Sequence, residues 1–191
     1  RIAWTLLCAN PDWIVEALDV EGAFLQGKFR NGEVMYADVP DGMEQFYGSR
    51  KDVVLQLLVP IYGTKQAANC FYETFVEKAV RNSDVYQRSK AEPCLYFAWI
   101  DGRLVIFVSW IDDFMILGHP QDVARVKRDI SSAFVSQDEG SLMEYVGVKC
   151  DFKRGADGIG TMKVTQPVLV QKLKDAVGES SRKFKTPAMA G

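Results

Sequence analysis

The run from Leu104 to Leu117 is rich in β-branched and aromatic residues, and charge breaks it only at Asp112 and Asp113. Such a run is too apolar for an exposed helix and too interrupted to cross a bilayer, which takes roughly 18 consecutive apolar residues. It reads as two strands around the acidic pair, with Cys94 to Trp99 a third strand joined through the turn signal Asp101-Gly102. Adjacent carboxylates at the end of an apolar hairpin admit two readings, an ordinary exposed turn or a site that supplies cations. Composition alone favours the turn, because Asp is a common turn residue.

Asp19 shifts that balance. Residues 13 to 20 alternate partly and read as a strand that Asp19 closes, and Gly22 and Ala23 behind it leave room beside the carboxylate. Carboxylates from two strand ends can share hard cations about 3.5 to 4 Å apart, the arrangement that serves in-line phosphoryl displacement.

Between these features, Gly27, Gly32, Pro40, Gly42 and Gly48 punctuate a loop-rich stretch with short β-like runs at residues 34–36 and 53–55. After Gly63, Ala67, Phe71, Phe75 and Ala79 recur at helical spacing, with Thr64 in place to cap the helix. Val123, Val126, Ile130 and Phe134 mark a second helix, residues 145–152 and 159–164 two further strands, and residues 167–177 a last helix. This order suits an α+β chain whose helices pack on one face of a largely antiparallel sheet.

At 191 residues and 48% hydrophobic content the chain can bury a core. Its 23 basic and 25 acidic side chains give no overall pull on nucleic acid, so any basic surface is local; Lys163, Lys172, Lys174, Arg182, Lys183 and Lys185 near the end form one candidate. Cys8, Cys70, Cys94 and Cys150 have no zinc-ligand spacing and read as reduced core thiols. The chain reads as soluble and intracellular, in a cytoplasmic particle or the nucleus, with no membrane partner, and as a piece of something longer since it begins at Arg1.

Five segments together carry a resemblance. Residues 18–27 (Leu-Asp-Val-Glu-Gly-Ala-Phe-Leu-Gln-Gly), 36–42, 62–67 (Tyr-Gly-Thr-Lys-Gln-Ala), 91–96 and the Asp112-Asp113 pair resemble, in order and spacing, the motifs of copia-type retrotransposon reverse transcriptases, as does 145–148. The resemblance implies a single reverse transcriptase core over residues 1–187, of ferredoxin-like antiparallel palm (about 1–27 and 64–160), partial β-rich fingers (about 28–63) and the start of a thumb (about 164–187). It implies RNA-directed DNA polymerase activity, with two Mg2+ ions, or Mn2+, held by Asp19, Asp112, Asp113 and the backbone of Val20. Phe24, Tyr62, Gly63 and Lys65 would meet the deoxynucleoside triphosphate, and Trp110 and Ile111 would adjoin the primer. Implied partners are an RNA or DNA template with primer and the missing fingers, thumb, ribonuclease H and integrase regions of a parent polyprotein.

Bland readings stand beside these. Without the resemblance Phe24 reads as an ordinary core aromatic, Lys65 reads equally as a solvated first-turn lysine, and His119 reads as part of an exposed turn. The chain departs from the family at Trp110 and Ile111, where tyrosine and valine are usual, at Ala68 in place of proline, and at Gln137 in place of lysine. Two alternatives remain, a non-catalytic truncated remnant of such an element and a nucleic-acid-binding module without activity.

Overall fold

A computed structural model describes residues 2–30 and 32–177 of the chain. The elements run α1 (Ile2–Ala9), β1 (Ile14–Val20), α2 (Ala23–Gln26), β2 (Met35–Asp38), α3 (Glu44–Tyr47), β3 (Val54–Leu57) and α4 (Ala67–Phe75), which continues as a π-helical turn over Val76–Arg81. They go on through β4 (Gln87–Arg88), β5 (Leu95–Ile100), β6 (Arg103–Trp110), β7 (Asp113–Gly118), α5 (Pro120–Ala133), β8 (Ser136–Ser141), β9 (Glu144–Tyr145), β10 (Val148–Arg154), β11 (Gly160–Thr165) and α6 (Pro167–Val177).

Six strands form one antiparallel sheet in the order β4-β5-β6-β7-β1-β8, while β9 to β11 and the pair β2-β3 form separate small sheets. Strand alternation sorts the side chains of the large sheet into two cores. Leu18, Val20, Phe114 and Ile116 face α4 and α5, meeting Phe71, Phe75, Val123, Val126 and Ile130. The ring of Phe75 lies 4.8 Å from that of Phe114 and 5.4 Å from that of Tyr96, so aromatic packing fills this side. Val15, Ala17, Met115 and Leu117 point the other way, to Leu7 of α1 and Cys150 of β10. Arg154 ties this second layer together by donating to the carbonyls of Leu7, Asn10, Trp13 and Gly158.

The antiparallel sheet and the two helices over it match the expectation, and the described part of the chain is mixed α and β. Several expectations need correction. Helices do not lie on one face only, because α1 covers the other. Thr64 does not cap α4: its hydroxyl donates to the Ile61 carbonyl at 2.8 Å, and Gln66 occupies the cap position. The strand expected over 145–152 breaks at Val146 and Gly147, which both take left-handed backbone. His119 is half-buried and begins α5, its carbonyl accepting from Asp122 and Val123. Strand β8 (Ser136–Ser141) has no counterpart among the expectations from the sequence. Residues 178–187 of the expected thumb start, with Arg182, Lys183 and Lys185, lie outside the described residues. All four cysteines are free, Cys70 and Cys150 buried. No helix among the described residues is long and apolar enough to cross a membrane.

Candidate metal and nucleotide site

Antiparallel pairing of β1 with β7 sets Asp19 directly opposite Asp113. Side chains on directly opposed residues project from the same face, here the face that carries Ala17 and Met115 and lies away from α4 and α5. The β6–β7 connection has only two residues, because Trp110 pairs with Asp113. Its tip is therefore Ile111-Asp112, one position earlier than expected, and Asp113 is the first residue of a strand. Ile111 sits at φ 61°, a left-handed conformation that β-branched residues rarely take. The Asp112 carbonyl in turn accepts a hydrogen bond from the Val20 amide at 3.0 Å, so the tip leans on the end of β1.

Asp19, Asp112 and Asp113 converge as a result: one carboxylate oxygen from each lies within 4.8 Å of the other two. All three are half-buried. Among the described residues no side-chain hydrogen bond or ion pair compensates them. Burial pushes the Asp19 carboxyl above its usual range, and the charges of Asp112, Glu139 and Glu21 push it the same way. Asp113 is raised for the same reason, first by burial and then by Asp112, Asp19 and Glu139. No cation opposes these shifts. A cluster of hard oxygen donors with mutual repulsion and no counter-charge fits a divalent cation such as Mg2+ or Mn2+.

Glu139 had no signal in the sequence. It occupies a bulge in β8, where the register with β1 slips between Ala17 and Leu18. Gln137 in the same strand stands opposite Asp19. Lys127, buried on α5, reaches both Glu16 of β1 (2.6 Å) and Asp138 of β8, and so anchors this polar strand from the helix side.

The segment after Asp19 is held tightly. Gly22 turns the chain with φ 55°, and the Gln26 side chain donates to the carbonyls of Glu21 and Val135 while accepting from the Val135 amide. A Cβ at Gly27 would fall 3.0 Å from the Phe71 amide nitrogen, so glycine is what lets α2 approach α4. Phe24 is half-buried against the core and its ring packs 4.7 Å from that of Tyr62. The aromatic pair thus links the first acidic segment to the loop before α4. Gly63 adopts φ 90° there, and Tyr62 and Lys65 are exposed. Lys65 has no ion-pair partner among the described residues. Trp110 and Ile111 are exposed beside the carboxylates, and Val20 is buried, meeting the site through its backbone.

Residues 3–180 match a family model described as reverse transcriptase (RNA-dependent DNA polymerase). The chain is 32% identical over 145 residues to the retrovirus-related Pol polyprotein from transposon TNT 1-94 of Nicotiana tabacum, a match covering 75% of this chain and 10% of that protein. It is 28% identical over 155 residues to the Pol polyprotein from transposon RE2 of Arabidopsis thaliana, covering 80% of this chain and 10% of the relative. The chain thus spans about a tenth of the length of these relatives. No solved structure gives a match. Family model and relatives agree with the ordered motifs: the chain belongs to the reverse transcriptases, in the group found in the Pol polyproteins of copia-type retrotransposons.

Proposed function

We propose that the chain is the RNA-directed DNA polymerase core of its parent polyprotein, transferring a deoxynucleotide to a primer 3′-hydroxyl at Asp19, Asp112 and Asp113. The observation that carries this reading is the convergence of three uncompensated carboxylates within 4.8 Å at the ends of two paired strands. Two Mg2+ ions, or Mn2+, bound there would lower the pKa of the 3′-hydroxyl and neutralise the triphosphate and departing pyrophosphate. The three carboxylates and the Val20 backbone would hold them. Phe24, braced by Tyr62, would crowd a ribose 2′-hydroxyl and so favour deoxynucleotides. Gly63 would let a nucleotide approach the backbone, and the exposed Lys65 ammonium would meet its phosphates. Trp110 and Ile111 would flank the primer end.

The topology supports a palm. Taken as β1-α4-β6-β7-α5-β8, with spatial order β8-β1-β7-β6, the central elements follow a ferredoxin-like pattern. In this reading the palm is about 1–27 and 64–160, the β2-β3 pair belongs to partial fingers at 28–63, and α6 begins a thumb within a core ending near 187. Template, primer, and the fingers, thumb, ribonuclease H and integrase regions of the polyprotein are the partners this assigns.

The test is primer extension on a poly-adenylate template with Mg2+, using the polypeptide extended at both ends by its flanking polyprotein sequence. Extension that disappears in the Asp112→Asn variant is the expected result. Equal extension by that variant refutes the carboxylate assignment, and no extension by the unaltered polypeptide refutes the enzyme.

A further inference from the structure

The two ladders that position Asp19 both end beside it. Pairing of β1 with β7 runs to Asp19 and Asp113, and pairing with β8 runs to Val20 and Ser136, so the peptide joining Val20 to Glu21 lies at the end of both. Its N–H donates to the Val135 carbonyl at 3.1 Å. Because this peptide is trans, its C=O points the opposite way. In an extended strand that is also the edge to which Val20 sends its own N–H, here to the Asp112 carbonyl at 3.0 Å. The Val20 carbonyl therefore faces the acidic hairpin.

Gln26 holds this arrangement from outside the sheet. Its side-chain amide donates to the Glu21 carbonyl at 2.7 Å and to the Val135 carbonyl at 2.9 Å, and it accepts from the Val135 amide at 2.9 Å. Val135 thus meets the amide as it would meet a facing residue in an antiparallel ladder, with its N–H and its C=O both paired. A side chain 109 residues away in sequence continues the ladder that β1 has left. Val135 is exposed and Gln26 only half-buried, so what the amide supplies is direction rather than apolar burial.

We infer that Gln26 is a positioning residue for the metal site: by fixing the peptide between Val20 and Glu21, its amide keeps the Val20 carbonyl turned toward the cation that Asp19, Asp112 and Asp113 would hold. The inference rests on the polymerase reading for the cation, whereas the clamp itself does not. Partners that orient a metal ligand from outside the coordination shell are commonly worth about 10- to 100-fold in affinity. The three carboxylates remain in place without Gln26, because the β1–β7 register sets them, so its removal weakens the site rather than abolishing it.

Gln26→Met keeps the length of the side chain and removes its hydrogen bonds. The 191-residue chain, carrying 13C at valine backbone carbonyls and aspartate carboxyls, is titrated with Mg2+ and followed by NMR. In the unaltered chain the Val20 carbonyl carbon and the Asp19 and Asp113 carboxyl carbons should move together. In Gln26→Met the carboxyl carbons should still move, the Val20 carbonyl should not, and the affinity should fall about tenfold. A residue that only stabilises the fold would lower the melting temperature and leave the Val20 response and the affinity as they were; that result overturns the inference. So does a Val20 carbonyl that ignores Mg2+ in the unaltered chain while the carboxyl carbons respond, an outcome that leaves the carboxylate site standing. A variant that fails to fold, read from the amides of β5 and β6, makes Gln26 a structural residue and overturns it as well. Carboxyl carbons that ignore Mg2+ in the unaltered chain refute the carboxylate site itself, and the inference falls with it.

Discussion

Replacing Asp113 with asparagine should stabilise the metal-free protein and weaken its response to Mg2+. The carboxylate oxygens of Asp19, Asp112 and Asp113 lie within 4.8 Å of one another, so each pair repels by at least about 0.9 kcal/mol at the dielectric of bulk water, and by about 3.5 kcal/mol at an effective value of 20. The groups are half-buried and salt screens them, so the lower figure is the appropriate one. Asp113→Asn removes two such pairs, a gain of about 1 to 2 kcal/mol. For a chain of this size that raises the melting temperature by about 2 to 8 °C at pH 7 in a chelator. The pH dependence follows from the raised Asp113 carboxyl. Between its ordinary value of 3.8 and its raised value the folded protein binds more protons than the unfolded chain, so stability falls as pH rises through that window. The advantage of the variant should therefore be complete at pH 7 and should close below pH 3.8. Mg2+ at tenfold excess over its Kd stabilises a one-site protein by about 1.4 kcal/mol, and most of that should be lost in the variant. Differential scanning calorimetry with and without Mg2+ measures both effects. A metal-free variant that melts at or below the unaltered protein, or one that gains as much from Mg2+, refutes the account of the cluster.

Mg2+ affinity itself should weaken on acidification sooner than an ordinary carboxylate site would, since protons compete at the raised Asp19 and Asp113; a flat calorimetric affinity from pH 7 down to 5 would contradict this. Lys127→Met should cost about 1 to 3 kcal/mol in urea denaturation, because it strips Glu16 and Asp138 of their shared cation. The Asp138 carboxyl is held low mainly by Lys127, so its contribution is present above pH 3.8 and lost as pH falls through the lowered value. The variant should accordingly show a shallower acid-side loss, and an unchanged profile would break the argument. Phe75→Ala should cost about 3 to 5 kcal/mol, since its ring contacts Phe71, Tyr96, Phe114 and Phe134; a loss under about 1 kcal/mol would show that the core has another centre. Gly27→Ala should cost about 1 to 3 kcal/mol, because the new methyl meets the Phe71 backbone nitrogen at 3.0 Å, and an unaltered melting temperature would refute that close approach.

Legibility in the sequence followed the apolar pattern. Strands β5, β6 and β7 were readable because their residues face a core on both sides or nearly so, and Asp101-Gly102 turns with positive φ at both positions, as the dipeptide suggests. Helix α5 was readable from Val123, Val126 and Ile130. Strand β8 was not, because Ser136–Ser141 holds no apolar residue: Asp138 is secured by Lys127 rather than by burial, and the opposite face borders the carboxylates. α1 escaped notice because Ile2–Ala9 is apolar around most of its circumference and lacks the polar stripe that reveals a helix. The turn was misplaced by one residue because sequence rules put Asp, not Ile, at a left-handed position.

Convergence of the acids depends least on the acids themselves. Ala17 opposite Met115 and Leu18 opposite Phe114 fix the β1–β7 register by sending alternate residues into two different cores. A slip of one residue would turn Asp19 toward α4 and α5 and send Leu18 and Val20 to the side of the second core, exchanging the residues of β1 between two cores packed for the other set. Register is thus enforced by burial over the length of the strand, and the pairing of Asp19 with Asp113 is its consequence at the strand end. The repulsion among the carboxylates, a few kcal/mol at most, cannot undo a register held by two hydrophobic layers. That imbalance is what allows three like charges to stay together without a cation, and it explains why substitutions far from the acids in β1 should disturb the site more than conservative changes beside it.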